Sequence, residues 1–296
     1  MKHSKTLIVL FLAPAVILYF GLFLIPSVFG LSFSLFDWSG FTTEMKFIGV
    51  DNFTRLAGDD NFWLSLANTL NVLLVGGVVT FVLAFVLAMM INSGIQGKNF
   101  FRSLIFLPNV IATIAITTMW AFAIYGQRTG IIPNLLKSVG LTDAAKFTWM
   151  SGDHVFNSMV VSIVWVSVGY YVVLLLTGMD GVPTELYEAA NLEGASPTKQ
   201  MWFITIPMIW EIITVSMVMW GINALKVFEV PFAFMGAGTD PKLYTLNVYE
   251  YIVGFGKRDP IYQLGYATAI GLVLVLLAIV FNVILRRGMR RDRVEF

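Results

Sequence analysis

Apolar residues in this chain fall in long, nearly unbroken blocks, without the period-2 or period-3.6 alternation of half-buried strands and helices. Six blocks stand out, at residues 7–35, 68–91, 104–125, 155–179, 204–226 and 263–285. Each is at or above the roughly 20 residues that a helix rising 1.5 Å per residue needs to cross a bilayer. In lipid the backbone must satisfy its own hydrogen bonds, so blocks of this length are predicted as helices. The expected fold is all-α: a polytopic transmembrane bundle of six helices in a single domain, residues 1–296.

The first block has a rival reading. Lys2, His3 and Lys5 precede it, as in a signal peptide, and Ala13-Pro14-Ala15 and Gly30-Leu31-Ser32 are small-x-small triplets. The first triplet comes too early and the block is too long for a cleaved leader, so a span is expected. Between the blocks, Asp51-Asn52-Phe53 is placed to start a short surface helix, and residues 131–139 form a weakly amphipathic piece. Gly76 and Gly77 in the second block permit close helix approach.

Composition agrees with the pattern. The 296 residues are 57% hydrophobic and only 12% charged, with a mean hydropathy of +0.79, outside the range of soluble domains. A net charge of +1 with no basic stripe gives no nucleic-acid partner. The absence of cysteine excludes disulfides and thiolate sites. No metal cluster, catalytic triad or cofactor motif is apparent, and no G-x-x-x-x-G-K-[ST] loop is present to cradle ATP, so neither an enzyme nor a resident cofactor is expected.

Six spans put both termini on one side. The termini, the 92–103 turn, the 180–203 loop and the tail (Arg286, Arg287, Arg290, Arg291, Arg293) hold 10 Lys and Arg, against 9 in the other loops, in roughly half the loop length. That density places both termini in the cytoplasm.

The 180–203 loop departs from the trend. It carries Asp180, Glu185, Glu188 and Glu193 against one cation, Lys199, which suits a basic protein partner better than a lipid surface. Its residues predict two short helices and a bend. Thr184 is the expected cap of the first, Gly194 supplies a positive φ at its end, and Ser196-Pro197 start the second, which should run to about Phe203.

Tyr187-Glu188-Ala189-Ala190-Asn191-Leu192-Glu193-Gly194-Ala195, followed by Ile204-Thr205-Ile206-Pro207, resembles the EAA motif of the membrane subunits of ATP-binding-cassette importers. Ile206 stands for the usual Leu, Glu193 for Asp, and Glu211 where relatives often have a second Pro. Phe36-Asp37-Trp38, Phe106-Leu107-Pro108 and Val182-Pro183-Thr184 extend the likeness, which looks strongest to the sugar-uptake branch, the maltose and glycerol-phosphate type. The resemblance implies a cytoplasmic coupling-helix loop (180–203). Glu188, Ala189, Ala190, Glu193, Gly194, Ala195 and Pro207 would serve the coupling. It implies as partners a second, related permease, two ATPase subunits and an external solute-binding protein, in a bacterial or archaeal cytoplasmic membrane.

For the cargo path, sugars call for aromatic faces with amide and hydroxyl groups. Ser167, Tyr170, Trp220 and Asn223 in the fourth and fifth blocks have those groups. Tyr170 and Asn223 also fall on or beside sugar-contacting positions of the maltose-type permease. Glu211 is the one carboxylate inside a predicted span and so a functional candidate. The alternative function is a self-sufficient secondary transporter or channel, which would show internal repeats and paired intramembrane charges. The sequence shows neither.

Overall fold

The computed structural model describes residues 5–257 and 261–289. Lys2, His3, Arg290, Arg291 and Arg293 therefore lie outside the described residues. Among the described residues, five helices are long and apolar enough to cross a membrane: Leu7–Leu35, Asp60–Asn92, Gly152–Asp180, Trp210–Phe234 and Leu264–Gly288. A bent pair, Lys98–Val110 with Thr113–Ile124, makes a sixth if counted as one span. In chain order these are spans 1, 2, 4, 5, 6 and, for the bent pair, 3. The all-α prediction holds, apart from a two-residue strand pair joining Phe36–Asp37 to Lys46–Phe47.

Three boundaries differ from the expected ones. Span 2 begins at Asp60 and not at 68, because Asp59 caps an amphipathic extension: its carboxylate accepts from the backbone N–H of Asn61 (2.9 Å) and Phe62 (3.3 Å). Span 3 is broken by 94°. Pro108 opens a tight turn, and Ile111 and Ala112 are extended (ψ 138° and 134°), so the α-ladder stops between its halves. Span 5 is interrupted at Ile209 (φ −96°, ψ 14°), two residues after Pro207. Glu211 consequently lies in the first turn of a new helix, where a carboxylate suits the dipole, and not two turns inside a continuous one. The short helices expected near Asp51 and over 131–139 appear as Asp51–Ala57 and Ile131–Ser138.

The chain clusters into two units, residues 1–63 with 246–276, and residues 64–245 with 277–296. In the first, the Asn52 carboxamide donates to the carbonyls of Ser34 (2.8 Å) and Phe36 (3.1 Å), fixing the corner after span 1. Asp59 gathers this unit's polar contacts. Both the Tyr249 and Tyr266 hydroxyls donate to it, and the Arg55 guanidinium lies 4.1 Å above the Tyr266 ring. Burial alone would raise the Asp59 carboxyl, but the hydrogen bonds from Tyr249, Tyr266, Phe62 and Asn61 outweigh it and hold the group below the ordinary carboxylate range.

The sign of the pH dependence follows. A carboxylate with a depressed folded pKa adds stability above its unfolded value near 3.9, and that stability is lost as pH falls through the folded value. Asp59→Ala removes the cap and the carboxylate to which the Tyr249 and Tyr266 hydroxyls both donate. It is expected to lower the melting temperature of the detergent-purified chain at pH 7, by a cost of about 1–3 kcal/mol. The difference from wild type should shrink only below about pH 4.

In the second unit, span 4 is the centre. Its side chains Met159, Val172, Leu175 and Leu176 are fully buried. Spans 2 and 5 meet at a notch of small residues: a Cβ on Gly77 would stand 2.6 Å from Trp220 Nε1, so only glycine admits the indole. At Gly169 a Cβ would stand 2.1 Å from the Ile105 carbonyl oxygen, so span 4 and the first half of span 3 touch through backbone.

Candidate coupling loop and cargo path

The loop after span 4 folds into the expected pair of helices, Thr184–Leu192 and one that starts at Pro197. Its corner is set by hydrogen bonds. Gly194 has φ +73°; its N–H reaches the Asn191 carbonyl (3.0 Å) and the Ala195 N–H reaches Ala190 (2.9 Å). This long-and-short bond pair satisfies the last carbonyls of a helix ending at a left-handed glycine. The Ser196 hydroxyl accepts from the Lys199 N–H (3.4 Å), and Pro197 stands at N1, as its missing donor allows. Thr184 differs from expectation. Pro183 occupies the cap position, Thr184 is the first helical residue, and its side chain makes no capping bond.

The second helix also runs further than predicted. It passes from Pro197–Gln200 through a π-helical turn, Met201–Thr205, into Ile206–Met208 and stops only at Ile209. The coupling loop thus reaches the base of span 5, separated from the helix that starts at Trp210 only by the break at Ile209. Two contacts lock its helices together. Gln200 Nε2 donates to Asn191 Oδ1 (2.6 Å) and the Ala195 carbonyl (3.0 Å), and the Tyr187 and Thr205 hydroxyls lie 2.9 Å apart. Where span 4 ends, Asp180 pairs with Lys98 (2.7 Å) and Arg102 (3.7 Å), and Arg102 also donates to Thr177 (3.1 Å). These cations offset a carboxylate at the unfavourable end of a helix. They also set the 92–103 turn and the loop at the same end of span 4.

Glu188, Ala189, Glu193 and Gly194 are exposed, Ala190 and Ala195 half-buried, and Pro207 lies in the last turn before the break in span 5. The sequence reading missed Leu192. It is 90% exposed at the end of the first loop helix, among carboxylates and away from any apolar block. A large apolar side chain so placed suits a protein pocket, and its hydrophobic character inside a charged loop was the available signal.

The four proposed path residues separate. Ser167 of span 4 and Asn223 and Trp220 of span 5 line one cavity of about 160 Å³, walled by Ile163, Val166, Ala224, Val227 and Val230. Asn223 is exposed and Ser167 half-buried. Trp220 is 5% exposed and its N–H already donates to the Leu73 carbonyl (2.9 Å), one residue into the π-helical turn Val72–Gly76. It therefore supplies a wall and no polar contact. Tyr170 does not line this cavity; its hydroxyl faces Met219 Sδ at 3.5 Å. Neither cavity nor loop contains a group of three or more metal-ligating side chains among the described residues.

Against known proteins, residues 60–291 match the family described as binding-protein-dependent transport system inner membrane component. The diacetylchitobiose uptake system permease protein NgcF of Streptomyces coelicolor is 33% identical over 87% of this chain and 75% of its own. The probable ABC transporter permease protein YurN of Bacillus subtilis is 30% identical over 99% of both chains. Among solved structures, a bacterial ABC transporter involved in import of the acidic polysaccharide alginate superposes with a TM-score of 0.82 at 23% identity, covering 97% of this chain and 96% of that one, a likeness of fold. The chain is a multi-pass membrane protein and belongs to the family of inner-membrane components of binding-protein-dependent transport systems.

Proposed function

We propose that this chain forms half of the translocation path of an ATP-binding-cassette importer for a carbohydrate, acting as one transmembrane domain. The observation that carries this reading is the 180–208 segment: an acidic two-helix loop, cross-braced by its own hydrogen bonds, whose second helix runs up to the single-residue break at Ile209 that precedes span 5. A span responds to nucleotide chemistry elsewhere only through a body that moves with both. Glu188, Glu193 and the exposed Leu192 would seat in an ATPase subunit, with Ala189, Ala190, Gly194 and Ala195 shaping the bend and Pro207 its junction with span 5. ATP hydrolysis would reside in the two separate ATPase subunits. A second, related permease and an external binding protein would complete the assembly. The loop and both termini would face the cytoplasm.

The carbohydrate class draws support from relatives named for sugars, NgcF among them, and from the presence of Ser167 and Asn223 in the lining of one cavity beside the Trp220 wall. Co-expression of the tagged chain with its neighbouring transport subunits tests the assembly. Recovery of an ATPase whose hydrolysis rises with saccharide-loaded binding protein is the expected result; purification of the chain with no ATPase would overturn it and favour a self-sufficient carrier.

A further inference from the structure

We propose that a second cavity, between the second half of span 3 (Thr113–Ile124) and the short helix Glu229–Phe234, is an additional saccharide subsite, selective for uncharged rings. This rests on the carbohydrate reading above and narrows it. The cavity measures about 680 Å³, against about 160 Å³ for the one holding Ser167 and Asn223. Ligand pockets commonly run from about 300 to 1,000 Å³, so the smaller cavity encloses at most a single ring and the larger accommodates several. Residues 227–230 form a wall common to both, with Val227 and Val230 lining one and Phe228 and Glu229 the other.

The lining of the larger cavity has the chemistry of sugar recognition. Phe228 and Phe232 stack with centroids 4.9 Å apart at 22°, and Phe122 adds a third ring, offering apolar platforms for the C–H face of a pyranose. The exposed Thr118 hydroxyl donates to its own helix (2.8 Å), which leaves its oxygen to accept from a sugar hydroxyl, while Thr117 makes the same bond (2.9 Å) but is buried. Glu229 is exposed and, among the described residues, is the only charged one lining either cavity, with no Lys, Arg or His beside it. A carboxylate takes charge-assisted bonds from neutral hydroxyls and repels a uronate or phosphate that has no cation to pair with. The cargo class is therefore a neutral oligosaccharide of two or more units, and acidic or phosphorylated sugars are rejected.

The test uses the assembled complex in proteoliposomes, with its ATPase, second permease and binding protein. The probes are radiolabelled mono- to tetrasaccharides of glucose, of N-acetylglucosamine and of guluronic acid. Wild type is expected to take up neutral probes of two or more rings and exclude the guluronates. Phe232→Ala should lower kcat/KM for those probes about five- to tenfold, the loss of one stacking contact, with recovery in Phe232→Tyr. Glu229→Gln should admit guluronate oligomers. ATPase co-purification shows that each variant assembles. No loss in Phe232→Ala, uptake confined to monosaccharides, or wild-type uptake of guluronates overturns the subsite. Asn223→Ala reports separately on the smaller cavity: if it leaves all uptake unchanged, that cavity is not on the path, whatever Phe232 does. A wild-type complex that takes up no probe removes the carbohydrate reading and the subsite together.

Discussion

Glu188→Lys is expected to leave the chain in the membrane at normal abundance and abolish saccharide-stimulated ATP hydrolysis by the assembled complex. Glu188 is exposed on the first loop helix, and its carboxylate makes no hydrogen bond or ion pair to another described residue, so nothing in the chain's own folding depends on its charge. Reversing that charge at a desolvated contact with a basic partner costs several kcal/mol through like-charge contact, enough to undo docking. Gly194→Val acts differently. Open space surrounds Gly194, so the cost is its φ of +73°, about 1–2 kcal/mol for a residue with a Cβ and more for a branched one. Substrate-stimulated hydrolysis is expected to fall sharply while expression stays near wild type and the melting temperature drops by only a few degrees, because the strain is confined to an exposed corner. Coupled transport at wild-type rates in both variants would contradict the loop's assigned role.

The opposite profile is expected at Gly169. A Cβ there meets the Ile105 carbonyl oxygen at 2.1 Å and its carbon at 2.9 Å, and neither atom can rotate away as a flexible side chain would. Gly169→Ala must separate span 4 from the first half of span 3, at an overpacking cost of about 1–3 kcal/mol. The same interface is pinned by Asn109, whose carboxamide donates to the Val166 carbonyl at 2.6 Å, beside the break in span 3. The expected result is a lower melting temperature in detergent and reduced recovery of the complex, before any question of coupling arises. A Gly169→Ala chain as stable as wild type would show that the spans do not approach this closely.

These two glycines also mark what the sequence makes legible. Gly194 sits between an acidic helical run and Ser196-Pro197, so local chemistry alone specified its left-handed turn. The six apolar blocks were equally plain, since lipid leaves long helices as the only solution for them. Gly169 gave no such signal, because the residue it accommodates, Ile105, is remote in sequence. The break in span 3 is half legible: a proline such as Pro108 disturbs any helix that contains it, but the extended pair Ile111 and Ala112 has no local marker. The aromatic face of Trp220 suits a sugar, yet its indole fills the Gly76–Gly77 notch and donates to the Leu73 carbonyl, a role that depends on where span 2 lies. Asp59 has no local marker either, since Tyr249 and Tyr266, which both donate to it, are remote in sequence. Residues whose roles are set by their own neighbours were readable, and those set by distant partners were not.

The loop's place at the ATPase contact is tested most directly by Leu192→Cys, a unique thiol in a chain that has no cysteine. In membrane vesicles carrying the whole complex, a membrane-impermeant maleimide is applied from each side, with and without the ATPase subunits stripped away. The account predicts labelling only from the cytoplasmic face, protection while the ATPase is bound, and cross-linking to it with a short bifunctional reagent. Labelling from the outer face, or equal labelling with the ATPase present and absent, would contradict it.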